Sequence, residues 1–152
     1  MAKRIVEASG ICTLDPINER MLKVQLSLTE KLNRVTFVIV YAPTESDADS
    51  DKTRFWSMLL ETIDSVPRKD QHFVLMDANT RAGKRDRGGS LEYAQVIGPY
   101  GGDVLNDNGK HLVRTFADVG MAITNTFFST PKVVNSPPML APKAMLGVLT
   151  TS

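Results

Sequence analysis

A layered α/β (α+β) fold with a mixed sheet is what the order of local patterns predicts, and three observations carry it. Leu22, Val24, Leu26 and Leu28 alternate with Lys23, Gln25 and Ser27, the period of a half-buried strand. Phe55, Trp56, Leu59, Leu60, Ile63 and Val66 recur at helical spacing. Phe73 to Met76 is an unbroken apolar run, as in a central strand covered on both faces. Strands joined partly by a hairpin and partly through helices imply a mixed sheet. No glycine-rich phosphate loop follows an early strand, which disfavours a doubly wound nucleotide-binding fold.

The elements follow in order. Ile5 to Thr13 is a weak strand candidate, with Asp15 and Pro16 as turn residues after it. Leu22–Leu28 and Val35–Tyr41 read as a hairpin, the second strand rich in β-branched and aromatic residues and joined to the first through Glu30–Asn33. Pro43 ends that strand, and the acidic stretch Glu45 to Asp51 supplies a loop and cap for the first helix, which Pro67 closes. Thr80 to Gly102, rich in glycine and charge, reads as a long surface loop. Asn106 to Gly109 leads into a second helix with Leu112, Val113, Phe116 and Ala117 inward, Asn106 and Asn108 as capping residues and Gly120 as the C-terminal cap. Met121 to Asn125 reads as a strand. From Pro131 onward four prolines punctuate a tail without acidic residues or period, so residues 131–152 are expected to lack regular structure and residues 1–130 to form the domain.

Composition narrows the function classes. The 152 residues suffice for one domain that buries a real core, and 18 Lys plus Arg against 17 Asp plus Glu give no global attraction to nucleic acid or acidic membranes. Any basic surface must be local. The lone Cys12 forms no internal disulfide and reads as a small buried residue in a reducing, intracellular compartment; no stretch reads as a signal peptide or membrane span.

Chemistry concentrates at two strand ends. Asp77-Ala78-Asn79 follows the buried strand, and alternation puts the Asp77 carboxylate and the Asn79 carboxamide on one side of an extended chain. Such a pair suits phosphodiester hydrolysis, which needs an oriented water and neutralisation of the phosphoryl oxygens. On these residues alone, a strand ended by local turn hydrogen bonds is the favoured reading. Tyr41-Ala42-Pro43-Thr44 ends the other strand, one helix earlier. Arg81, Lys84, Arg85 and Arg87 then concentrate positive charge just after Asn79, where a DNA backbone would pass or where the loop is simply solvated. His72 and His111 read as surface residues away from the site, and Trp56 as core.

Taken together, Val38–Thr44 (VIVYAPT), Phe73–Gly83 (FVLMDANTRAG), Asn106–Gly109 (NDNG) and Ala122–Phe128 (AITNTFF) resemble the endonuclease/exonuclease/phosphatase superfamily. The similarity is to the apurinic-endonuclease-like domains of LINE-type (non-LTR) retrotransposons and their craniofacial-development-protein-2-like relatives, over about residues 19–128. It implies a fragment of a four-layered α/β sandwich, two mixed sheets face to face with helices outside, and a Mg²⁺- or Mn²⁺-dependent DNA endonuclease. By the same resemblance Tyr41 would contact the scissile phosphate, Asp77 align or deprotonate the attacking water, and Asn79 orient it. Thr44 stands where many relatives have Asn, beside the substrate.

The departures are equally specific. No counterpart of the family's metal-binding Glu is found near Glu7, and the tail after Phe128, where an Asp and an Asp-His pair should follow, has no Asp, Glu or His. The metal ligands are therefore unassigned, and full activity is not expected. The alternatives are a non-catalytic remnant with weak nucleic-acid binding, or a phosphatase or phosphodiesterase of the same superfamily acting on a non-DNA substrate.

Overall fold

The computed structural model describes residues 12–27, 34–83, 93–102, 104–129 and, for the backbone, 144–149. Its strands are β1 (Cys12–Asn18), β2 (Met21–Leu26), β3 (Val35–Tyr41), β4 (Gln71–Asp77), β5 (Met121–Ile123) and β6 (Ala144–Leu149), and its helices are α1 (Asp49–Asp64) and α2 (Asp107–Asp118). The strands form one mixed sheet in the order β1-β2-β3-β4-β6-β5, with β3 and β4 parallel across α1 and the other pairs antiparallel. The expected α/β class and the β2–β3 hairpin are both present.

The two faces of the sheet differ. Thr36, Val38 and Val40 of β3 lie in register with His72, Val74 and Met76 of β4, and all six are buried. Onto this face pack Phe55, Trp56, Leu59 and Ile63 of α1 and Leu112, Val113 and Phe116 of α2. Both stripes follow the helical period read from the sequence. The other face carries Leu22, Val24, Leu26, Phe37, Ile39, Phe73 and Leu75, half-buried except for the exposed Ile39, with Phe37 stacked on Phe73 at 5.4 Å between ring centres. Among the described residues there is one sheet and one helical layer.

Several expectations shift. Asp15 and Pro16 are inside β1 and not in a turn. Pro16 is tolerated because β1 is an edge strand, where a missing N–H costs no ladder bond, and the register slips between Pro16 and Asn18. Residues 5–11 and the connection 28–33 lie outside the described residues. The N-cap of α1 is Ala48, without a side-chain cap; the acidic loop acts instead through the Glu45 carbonyl, which accepts from buried Lys52 Nζ at 2.6 Å. The second half of the supposed surface loop is core: Val96 and Ile97 are buried and Ile97 bridges to Ile123. Gly98 fits there because an added Cβ would lie 2.3 Å from the Thr126 carbonyl oxygen. The tail, expected to lack structure, supplies β6, which pairs between β4 and β5. His72 is buried, not at the surface, because β4 turns its even positions toward the helices. His111 is exposed and stacks on Trp56 at 6.2 Å.

Candidate functional site

Parallel pairing of β3 with β4 ends on Tyr41 opposite Asp77. Directly opposed residues share a face, so the phenol and the carboxylate leave the same sheet rim side by side. The ladder continues one step further, with Ala42 N–H donating to the Asp77 carbonyl at 2.9 Å. Tyr41 is half exposed, at 51%, and Asp77 is half-buried.

Asn79 joins the pair by a route that alternation did not foresee. The chain leaves extended geometry after Asp77, and Asn79 adopts φ 45°, in the left-handed region that Asn enters more readily than most residues. Its N–H donates to Asp77 Oδ1 at 3.3 Å, closing a local Asx-type turn, and its Nδ2 donates to the Ala42 carbonyl at 2.9 Å. The turn chemistry and the site chemistry are thus served by the same residues. A single left-handed non-glycine residue at a strand end is the kind of local strain that functional sites concentrate.

Thr44 is held beside them. Its N–H donates to Asp47 Oδ2 at 2.8 Å and its hydroxyl lies 3.0 Å from that of Ser46. Arg81 is exposed and enters through its backbone, exchanging two hydrogen bonds with Asn106. Lys84, Arg85 and Arg87 lie outside the described residues.

Arg20 is the residue that sequence reasoning missed. Its guanidinium carbon stands 5.7 Å from the centre of the Tyr41 ring, its carbonyl accepts from Tyr41 N–H at 2.9 Å, and it approaches Asp47 at 3.9 Å. A planar cation on the phenol face places positive charge beside the rim. No local motif could reveal it, because β2–β3 register brings Arg20 to Tyr41 from the preceding turn.

The NDNG segment ties these loops to the helices. Asn106 caps α2, its Oδ1 accepting from Gly109 N–H at 2.9 Å, while its Nδ2 donates to Glu45 Oε2 at 2.7 Å. Asn108, expected as a cap, instead points its Nδ2 at the Pro43 carbonyl, 3.0 Å away, and is fully buried. Outside the rim, a cleft of about 380 Å³ is lined by Asp49, Asp107, Lys110, His111 and Arg114. Its charges largely cancel: Lys110 donates to Asp107 at 2.7 Å, holding that carboxyl below its ordinary range while the carboxylate raises the ammonium.

The implied divalent cation fails a test of fit. Asp77 is the one carboxylate among Tyr41, Asp77 and Asn79, and among the described residues no group of three or more His, Cys, Asp or Glu side chains is placed to hold a metal. Hard cations take several oxygen ligands. The residues described here do not form such a site by themselves.

Comparison with known proteins finds distant similarity over most of the chain. Over 129 residues, 85% of the chain, it is 30% identical to craniofacial development protein 2 of Bos taurus and 28% identical to that of Tragulus javanicus. The chain is a distant relative of craniofacial development protein 2. It spans about one fifth of the length of these relatives, 20% and 21%. No family model matches it. Among the described residues no helix is long and apolar enough to cross a membrane.

Proposed function

We propose that the chain carries part of a phosphodiester-hydrolysing site of the endonuclease/exonuclease/phosphatase type, close to that of LINE-type retrotransposon endonucleases, which engages DNA but turns it over poorly. The observation that carries this reading is the register match of Tyr41 with Asp77, with Asn79 bonded to both strand ends. The Tyr41 hydroxyl donates to a non-bridging phosphoryl oxygen, and Arg20 behind its ring offsets phosphate charge. Asp77 accepts a proton from the attacking water, whose direction the Asn79 carboxamide fixes. The exposed Arg81, with Lys84, Arg85 and Arg87 after it in sequence, extends the contact along the backbone.

What is missing sets the rate. Protonation of the leaving alkoxide, a contribution typically worth ~10²- to 10⁴-fold, is assigned to no residue, and among the described residues no group of three or more His, Cys, Asp or Glu side chains gathers to hold a cation against the phosphoryl group. The test is nicking of supercoiled plasmid in Mg²⁺ by the chain and by Asp77→Ala. Slow nicking that the substitution abolishes supports the reading. Nicking that survives Asp77→Ala overturns it. That no acidic cluster forms among the described residues also favours a second reading, a non-catalytic DNA-binding remnant, whose signature is binding without any Asp77-dependent nicking.

A further inference from the structure

We infer that Asn108 is a positioning residue that acts with Asn79 as a two-point clamp on the Tyr41–Thr44 turn. Asn79 Nδ2 holds the Ala42 carbonyl at 2.9 Å and Asn108 Nδ2 holds the next carbonyl, that of Pro43, at 3.0 Å. The two donors come from different segments, 37 and 65 residues away from the carbonyls they bind. With Ala42 N–H on the Asp77 carbonyl, three backbone groups in succession are fixed just where β3 runs out of strand partners. The sheet register thus fixes Tyr41 itself, and the turn beyond it is held at the Ala42 and Pro43 carbonyls by side-chain amides.

Two features of Asn108 separate this role from ordinary helix chemistry. It stands in the first turn of α2, yet the capping position is already filled by Asn106. It is also fully buried, and its Oδ1 meets no partner among the described residues. Burying a carboxamide whose oxygen has no hydrogen-bond partner costs stability that an apolar side chain of similar volume would not. The orientation is determined, because a flipped amide would set Oδ1 against the Pro43 carbonyl oxygen. What Asn108 gives in return is one directed donor to Pro43, a residue that cannot use its own nitrogen to anchor the turn.

The clamp stands on this geometry; that the turn it fixes serves a phosphodiester rests on the function proposed above. The test is site-resolved amide hydrogen exchange on the whole chain, in wild type, Asn108→Leu and Asn108→Asp. In Asn108→Leu, Ala42, Thr44 and Asp47 amides are expected to exchange at least about ten-fold faster, with Leu112 to Phe116 of α2 within about two-fold. Asn108→Asp is expected to match this at neutral pH, where a carboxylate has no proton to donate. At acid pH its protonated carboxyl donates to the Pro43 carbonyl, and exchange relative to wild type at the same pH returns toward one. That comparison cancels effects of acid common to both proteins at the charged groups around the turn: Asp47 on the Thr44 amide, Asp77 on the Asn79 amide, Glu45 on Asn106, Lys52 on the Glu45 carbonyl, and the Asp107–Lys110 pair.

Unchanged exchange at the turn overturns the clamp, as does acceleration spread evenly over α2. If the Asn108 variants do not fold, Asn79→Gly keeps the positive φ while removing the other donor. Faster exchange at Ala42 and Thr44 is then expected, and no change overturns the two-point clamp. Titration with a dinucleotide phosphodiester separates the two claims: a clamp signature without any dinucleotide binding sinks the proposed function and leaves the clamp standing.

Discussion

Replacing Gly109 by alanine tests the packing behind the site, because helix propensity and tertiary fit give opposite signs. Alanine inside a helix gains about 0.5–1 kcal/mol over glycine, so the sequence alone predicts a more stable protein. In the structure an added Cβ would lie 2.1 Å from the Arg81 carbonyl oxygen, 2.9 Å from its carbon and 3.0 Å from Asn106 Oδ1, where ordinary contact begins near 3.4 Å. The obstruction is backbone on one side and a capping side chain on the other, so α2 must retreat from the loop after β4. That movement stretches Asn106 N–H to the Arg81 carbonyl (3.1 Å), Arg81 N–H to Asn106 Oδ1 (2.9 Å) and Gly109 N–H to Asn106 Oδ1 (2.9 Å). Overpacking of this kind costs about 1–3 kcal/mol, and each weakened bond up to about 0.5–1.5 kcal/mol. The propensity gain is outweighed, for a net loss of roughly 2–3 kcal/mol. In a chain of this length that corresponds to a fall in Tm of roughly 5–10 °C. The assay is urea and thermal unfolding followed by circular dichroism. A Gly109→Ala protein as stable as wild type would refute the close approach of α2 to Arg81.

Further outcomes follow from the same geometry. Phe116→Ala, at a side chain with 0% exposure, should cost about 3–5 kcal/mol by denaturant titration, whereas Phe128→Ala, 70% exposed, should leave stability within about 0.5 kcal/mol. Arg20→Ala should weaken binding of a short DNA duplex measured by fluorescence anisotropy and flatten its salt dependence by about one unit of slope; an unchanged slope removes Arg20 from the phosphate contact. The half-exposed apolar face around Ile39 should drive concentration-dependent association in sedimentation velocity, relieved by Ile39→Lys without loss of helix content. The Asp107–Lys110 pair has a predictable sign. The depressed carboxyl contributes above its unfolded pKa and is lost as pH falls through the lower folded value, while the raised ammonium contributes below its unfolded pKa and is lost only as pH rises through the higher folded one. Stability from the pair is therefore flat around neutrality. Both side chains are largely exposed, so Lys110→Ala should leave Tm unchanged in physiological salt.

How much of this was legible in the sequence depended on the range of the interaction. Periodicity is local, and it located β2, β3, β4, α1 and the inward face of α2 through Leu59, Val74 and Phe116, whose burial follows directly from spacing. Pro16 misled because edge position is a property of the finished sheet, invisible to the residues around it. β6 was missed for the same reason: a short apolar run among prolines shows no period, and its strand character comes from the space between β4 and β5. Tyr41, Asp77 and Asn79 lie together at one rim of the sheet, and for Asn79 the cause is a left-handed turn and not strand alternation. Arg20 and the Asn108 contact with Pro43 depend on pairings across the chain, so no motif around either residue announces them.

The claim that the rim of β3 and β4 is a phosphodiester site is tested most directly by backbone-amide NMR of the chain titrated with a short DNA duplex. The account predicts saturable shifts at Tyr41, Asp77, Asn79, Arg81 and Arg20, lost in Tyr41→Phe combined with Arg20→Ala while the spectrum stays folded. Shifts confined to the cleft at Asp49, Lys110, His111 and Arg114, or none at the rim, would contradict it.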